Sequence, residues 1–289
     1  MNHSMLRLRQ IILCLCCAAI LFPLSASAGD TLIGGKDSGL INILLIGQDR
    51  RDEERARADS ILLCSFCPET KKITVTSFLR DLYVDIPGYE GNRLNAAYAI
   101  GGMDLLRQTM EENFSLYIDG CLEADFTQFP QIIDSLGGVT VELRQDEAEL
   151  INKSVPGSLE EGSNLLSGSQ ALVYSRIRNL DNDGDFSRTN RQRKLVTSVL
   201  DRYRTADFLT IVTTVADTLP MISTDLSKRQ ILKLTAALFP MLDEPTVASQ
   251  RIPADGSYRF DTVRQMSVLT VNMDDIRAHL RSSLLPDKK

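Results

Sequence analysis

The stretch Leu40–Ile46, Leu-Ile-Asn-Ile-Leu-Leu-Ile, is an apolar run closed at either end by Gly39 and Gly47. Seven residues of this kind between glycines read as a buried central strand, because a strand covered on both faces has no polar alternation to show. That constrains everything after it. Ser60–Phe66 and Lys72–Phe78 read as two further strands joined by a hairpin turn at Pro68-Glu-Thr-Lys-Lys72. Tyr83–Ile86 runs into a Pro87-Gly88 turn. Asn95–Ile100 and Met103–Phe114 have helical spacing and are separated by Gly101-Gly102. Gly120–Ala124 reads as strand, Phe126–Leu136 as a helix stopped by Gly137-Gly138, and Val139–Leu143 as strand again. A helix capped by Ser167 runs to Arg178, and a long amphipathic helix covers 188–207, with Leu195, Val199 and Leu200 on its inner face. Short strands follow near Val247–Ile252 and Val268–Val271. Strands interleaved with helices predict an α/β (α+β) sandwich: one domain in which helices cover a mixed central β-sheet.

Residues 1–28 stand apart from this pattern. Arg7 and Arg9 precede the apolar run Ile11–Leu24, and Ser25-Ala26-Ser27-Ala28 follows. This is the pattern of a secretory signal peptide cleaved after Ala28, with an uncleaved membrane anchor as the alternative. Residues 29–39 read as a short linker and 40–285 as the working domain. A formal net charge of −6, with no basic face, argues against nucleic acid as a partner. Beyond the leader the cysteines are Cys64, Cys67 and Cys121, an odd number. Cys64 and Cys67 have CxxC spacing but fall in a strand, where i and i+3 face opposite ways, which disfavours a redox or zinc pair. The only histidine past the leader is His279, so His-based triads and His-rich metal sites are excluded, leaving carboxylates, arginines and hydroxyls.

Those groups gather at strand ends, where α/β proteins place their chemistry. Gly47-Gln48-Asp49 ends the first strand, Arg57-Ala58-Asp59-Ser60 opens the second, and Arg80-Asp81 ends the third. Two carboxylates with oxygen as the available ligand suit Mg²⁺ or Mn²⁺ rather than zinc. Between Arg176 and Lys194 an acidic chain collects six basic residues against three acidic ones. Arginine forks match phosphate oxygens and stay charged, so this cluster is either a site for a multiply charged anion or a solvated helix face. Arg193 and Lys194 read as its solvated members.

The order and spacing of these pieces resemble the LytR-CpsA-Psr family of bacterial cell-envelope proteins. The matching segments are Asn42–Asp49, Arg57–Ser60, Pro68–Lys72, Ser77–Gly88, Leu94–Ala99 with Gly101-Gly102, Asp125-Phe126 leading to Leu136–Val139, and Leu165–Ala171. Tyr174-Ser-Arg176-Ile-Arg178, Asp185, Arg188, Arg191 and Gln192 complete them. Two scaffold positions depart from the pattern: Leu79 replaces a usual proline and Ala58 a common serine. The resemblance implies a phosphotransferase that moves an anionic glycopolymer, of teichoic-acid or capsule kind, from undecaprenyl pyrophosphate to a peptidoglycan hydroxyl. It implies Asp49 and Asp59 as ligands of Mg²⁺ or Mn²⁺, and Arg57, Arg80, Arg176, Arg178 and Arg188 as the pyrophosphate grip. Asp185 and Gln192 would organise that grip, and Asp81 would either support the groups that touch the substrate or act as a base. The polyprenyl tail would lie in an apolar pocket between sheet and helices, which would account for the apolar segments Leu40–Ile46 and Leu116–Leu122, as ordinary core packing does equally well. An exported protein at the membrane surface follows. A pyrophosphatase using water, and a non-catalytic polyprenyl-phosphate binder with a regulatory role, are the alternatives.

Overall fold

The computed structural model describes residues 32–286 except 36–37, 50–56 and 182–183, and for Asp49 only the backbone. The signal-peptide or anchor segment lies outside the described residues, which form one unit.

Three strands carry the frame: β1 (Ile41–Asp49), β2 (Arg57–Cys67) and β3 (Lys72–Phe78), joined in order by antiparallel pairing. β4 (Tyr83–Val84) and β5 (Asn92–Arg93) form a small ribbon before helix α1 (Leu94–Phe114). β6 (Gly120–Asp125) then returns to pair parallel with β1. The chain leaves the sheet for a lobe built from α2 (Gln128–Ser135), β7 (Val139–Leu143), α3 (Gln145–Ser154), β8 (Gly162–Leu166) and α4 (Gly168–Arg176). The long helix α5 (Asp185–Arg202) crosses back, followed by α6 (Phe208–Thr218), β9 (Ser223–Thr224) and α7 (Lys228–Leu238). β10 (Thr246–Ile252), the hairpin β11 (Tyr258–Val263) and β12 (Met266–Val271), and α8 (Met273–Leu284) complete the chain. The main sheet runs β10-β3-β2-β1-β6-β9, with β10–β3 and β1–β6 parallel and the other pairs antiparallel. This is the mixed sheet covered by helices that the strand and helix pattern predicts.

The apolar run of β1 is central because it has a core on each side. Leu44 and Ile46 pack with Leu106, Met110 and Phe114 of α1 and Ile276 and Leu280 of α8. Ile43 faces a second core with Cys64, Phe66 and Val75, against which Val196 and Leu200 of α5 rest. Each such buried aliphatic side chain contributes about 1.5–3 kcal/mol. Cys64 and Cys67 fall in opposite cores, as strand geometry requires, and burial pushes the thiols of Cys64 and Cys121 up to about 12. α1 bends at Gly101-Gly102, where Gly102 takes φ +66°, a conformation that favours glycine. Ser167 caps α4 through a reciprocal bond with Gln170, satisfying backbone donors at the helix start.

The expected linker at 29–39 is in part core. Ile33 is fully buried, its N–H donates to Ser115 O (2.7 Å), and its carbonyl accepts from Tyr117 N (3.1 Å). An isolated apolar residue gives no periodicity by which to see this. α5 also ends sooner than 207 and starts sooner than 188, at Asp185. Leu79 keeps its turn fastened, since its N–H, which a proline would lack, donates to Ile252 O at 2.9 Å.

Candidate active site

The site begins with a fault in the β1–β2 ladder. Gly47 pairs with Ser60 and Gln48 with Ala58, so Asp59 has no residue opposite it and sits in a bulge. Bulges re-aim side chains at sheet rims. Gly47 is needed for the close approach: a Cβ there would meet the Ser60 Cβ at 3.0 Å. Ala58, the other departure from the family pattern, is buried in the core.

Arg80, just past β3, reaches across to this bulge and bonds Asp59 Oδ1 through Nη1. Its Nε lies 2.9 Å from Asp185 Oδ2, as a charge contact without hydrogen-bond alignment, and 3.7 Å from Asp81 Oδ2. Burial works against charge on this guanidinium, but Asp185 and Asp59 outweigh it and hold it above the ordinary arginine value. Asp185 opens α5 and is shared by three arginines. Besides Arg80, Arg178 Nε lies 3.4 Å from its Oδ1, and Arg188 Nη2 donates to Oδ2 at 3.1 Å. Arg188 is almost wholly buried, and its Nε has no hydrogen-bond partner. Three guanidiniums around one carboxylate at the start of an 18-residue helix leave an excess of positive potential.

Arg93, which the sequence did not single out, holds the other side of Asp81 (3.4 Å to Oδ1) and donates to Ser267 O at 2.9 Å. It lies in an ordinary-looking turn entry, so no local signal marked it. Arg176 stands apart, with its guanidinium 4.6 Å over the Phe126 ring. Arg57 is exposed at the start of β2, opposite Asp49 in register, and among the described residues no ion pair ties it to the cluster. Arg193 corrects the expectation of a solvated residue. It is buried, donating to Ser249 Oγ (2.8 Å), Asn190 Oδ1 (3.2 Å) and Ser77 Oγ, and burial beside Arg251 lowers it to about 10. Arg191 is structural, donating to buried Glu147 at 2.7 Å and to Asp181.

Beside the cluster is an apolar cavity of about 210 Å³ between the sheet and helices α2, α4 and α5. Ser60, adjacent to Asp59, and Gln192, one turn beyond Arg188, are in its wall. Leu45, Leu122, Phe129, Leu195 and Val199 supply apolar surface. The expected contributions of Leu40–Ile46 and Leu116–Leu122 narrow to Leu45, Ile46 and Leu122, because Leu40, Leu44, Leu116 and Ile118 point into the core beneath α1. The Gln192 Oε1 is buried without a partner.

Among the described residues no three His, Cys, Asp or Glu side chains gather as a metal cage. Mg²⁺ rarely needs one; it takes one or two carboxylates and completes its shell with water and substrate phosphate. Asp59 is an oxygen donor of that type, its Oδ1 bonded to Arg80, and Asp49 ends β1 with its side chain outside the described residues.

Comparison with known proteins places this geometry. The profile of the LytR_cpsA_psr family matches residues 24–282. The chain is 32% identical over 258 residues to regulatory protein MsrR of Staphylococcus aureus, covering 87% of this chain and 76% of that protein. It is 38% identical over 173 residues to the polyisoprenyl-teichoic acid–peptidoglycan teichoic acid transferase TagU of Oceanobacillus iheyensis, covering 57% and 52%. The solved structure of TagT bound to LIIa-WTA superposes with a TM-score of 0.70 at 25% identity, covering 91% of this chain and 99% of that one.

Proposed function

The chain belongs to the LytR-CpsA-Psr family, and on that footing we propose that it is a phosphotransferase acting at the extracytoplasmic face of the cell membrane. Its donor is an anionic glycopolymer, of teichoic-acid or capsule kind, on undecaprenyl pyrophosphate, and its acceptor is a hydroxyl of peptidoglycan. Three guanidiniums converging on Asp185 beside an apolar cavity carry this reading. A pyrophosphate needs several fixed cations, and a prenyl tail needs a dry slot next to them; few ligands ask for both.

In the reaction the acceptor oxygen bonds to the phosphorus that bears the glycopolymer. The bond from that phosphorus to the bridging oxygen breaks, undecaprenyl phosphate departs, and the hydroxyl proton passes to a carboxylate. Asp81, held between Arg80 and Arg93, is placed to take it. Arg80, Arg178 and Arg188 stabilise the charge that grows on the leaving phosphate from positions held by Asp185, Arg188 buried and Arg178 at the solvent edge. Asp185 keeps them convergent when no anion is present. Gln192 offers its amide at the junction of cavity and cluster. Arg57 and Arg176 flank the site and would bind outlying anionic groups of the donor. Asp59 and Asp49 would hold Mg²⁺, or Mn²⁺ in its place, which when bound would supply charge neutralisation to the phosphate.

Arg178→Ala and Asp59→Ala are each expected to lower transfer by about 10²-fold or more while the thermal melt stays close to wild type. Purified protein with lipid-linked donor, with and without glycan acceptor, provides the assay. Acceptor-dependent phosphodiester supports a transferase, donor cleavage indifferent to acceptor a pyrophosphatase, and tight lipid binding without turnover a regulatory binder. A wild-type rate in either variant would sink the site assignment.

A further inference from the structure

A second cavity, of about 330 Å³, lies on the other flank of the ionic cluster. It shares no wall residue with the apolar slot, and its chemistry differs. Arg80, Asp81, Arg93 and Asp185 make its polar side, while Phe186 and Phe260 supply aromatic surface. The rings form a ladder outward from the site. Phe186 follows Asp185 directly in the chain, Tyr258 stacks on Phe186 at 5.3 Å between centroids, and Phe260 stands edge-on to Tyr258 at 5.5 Å. Arg251 covers the Phe186 ring at 4.4 Å and so holds its orientation. Phe260 is 73% exposed on the β11–β12 hairpin, so most of its ring faces solvent beyond the edge contact with Tyr258.

We infer that this cavity is the subsite for the acceptor glycan, with one pyranose stacked on Phe260 and its hydroxyl delivered to Asp81. The inference rests on the phosphotransferase reading and deepens it. Sugars present an apolar ring face and a polar edge; an exposed aromatic ring beside fixed carboxylates and guanidiniums matches both. Direction supports the same assignment. In phosphoryl transfer the attacking and leaving oxygens lie roughly in line. The prenyl tail of the leaving phosphate runs into the apolar slot, so the attacking hydroxyl arrives from the side of the second cavity, where Asp81 stands to accept its proton. A sugar of the donor polymer in this cavity would block that approach.

Calorimetric titration of the full chain with soluble, uncrosslinked peptidoglycan glycan strands tests it, alongside titration with undecaprenyl pyrophosphate. Phe260→Ala is expected to weaken glycan binding about tenfold, with Phe260→Tyr retaining it and lipid binding unchanged in both. Wild-type glycan affinity in Phe260→Ala, or a parallel loss of lipid binding, would overturn the assignment. Wild-type protein that binds the lipid but not the strands refutes the acceptor subsite alone. Protein that binds strands but not the lipid refutes the donor reading.

Discussion

Replacing Arg80 with alanine is expected to abolish transfer, lowering kcat/KM for the lipid-linked donor by about 10³-fold or more. Among the described residues this side chain is the one cation common to Asp59, Asp81 and Asp185. Without it Asp59 loses its partner, Asp81 keeps Arg93 alone and Asp185 keeps Arg178 and Arg188, so the volume that must admit a pyrophosphate turns more negative and repels it. The loss therefore exceeds that of one missing phosphate contact. Arg80→Lys restores the charge but not the fork that engages Asp59 and Asp185 together, so it is expected to recover only a minor part of the rate. Both variants should melt within a few degrees of wild type, because Arg80 lies at the rim rather than in the core. Steady-state kinetics beside thermal unfolding separates the two effects.

Glu147→Ala is expected to have the largest effect on stability. Glu147 and Arg191 are almost fully buried, 2.7 Å apart, and join the lobe helix α3 to α5. Glu147 also accepts from Arg144 N at 3.0 Å, closing the start of α3. Removing the carboxylate strands a buried guanidinium whose remaining partners are Asp181 and the Ile177 carbonyl. Breaking such a pair costs about 3–5 kcal/mol, which for a domain of this size lowers Tm by roughly 10 °C. Adding Arg191→Met should recover much of the loss, since the stranded charge, more than the missing bond, sets the cost. Chemical denaturation of the four proteins of the cycle measures it. Because α5 carries Arg188 and Gln192 on the same turns, the single variant should also lose activity at temperatures where it remains folded.

These two residues show where sequence reading stops. β1, β2, β3, the Gly101-Gly102 bend and the Ser167 cap were legible because each is written within a few consecutive residues. Of the arginines of α5, Arg188 was legible through the resemblance, but how Arg191 and Arg193 pack was not. Arg188, Arg191 and Arg193 are all buried, yet each meets a different neighbour: the ionic cluster, Glu147 of the lobe, and the serines of β3 and β10. α5 keeps Asn190, Lys194 and Asp201 exposed, so Lys194 is solvated as read, while Arg193, its neighbour in the chain, turns inward to serines of distant strands. Arg93 and the β11 hairpin escaped for a related reason. Their roles arise from segments far apart in the chain, Arg93 meeting Asp81 and Ser267, and Phe186 meeting Tyr258, and no local spacing encodes that. Conversely, Arg57 and Arg176 looked equal to Arg80 in sequence, while the fold sets them at the periphery.

The central claim is that one ligand spans the arginine cluster and the apolar cavity, and native mass spectrometry of the full chain with undecaprenyl pyrophosphate tests it most directly. The expected result is a one-to-one adduct that is lost in Arg80→Ala and also in Leu195→Trp, which fills the cavity without touching a charge. An adduct that survives both substitutions, or none with the wild-type protein, would contradict it.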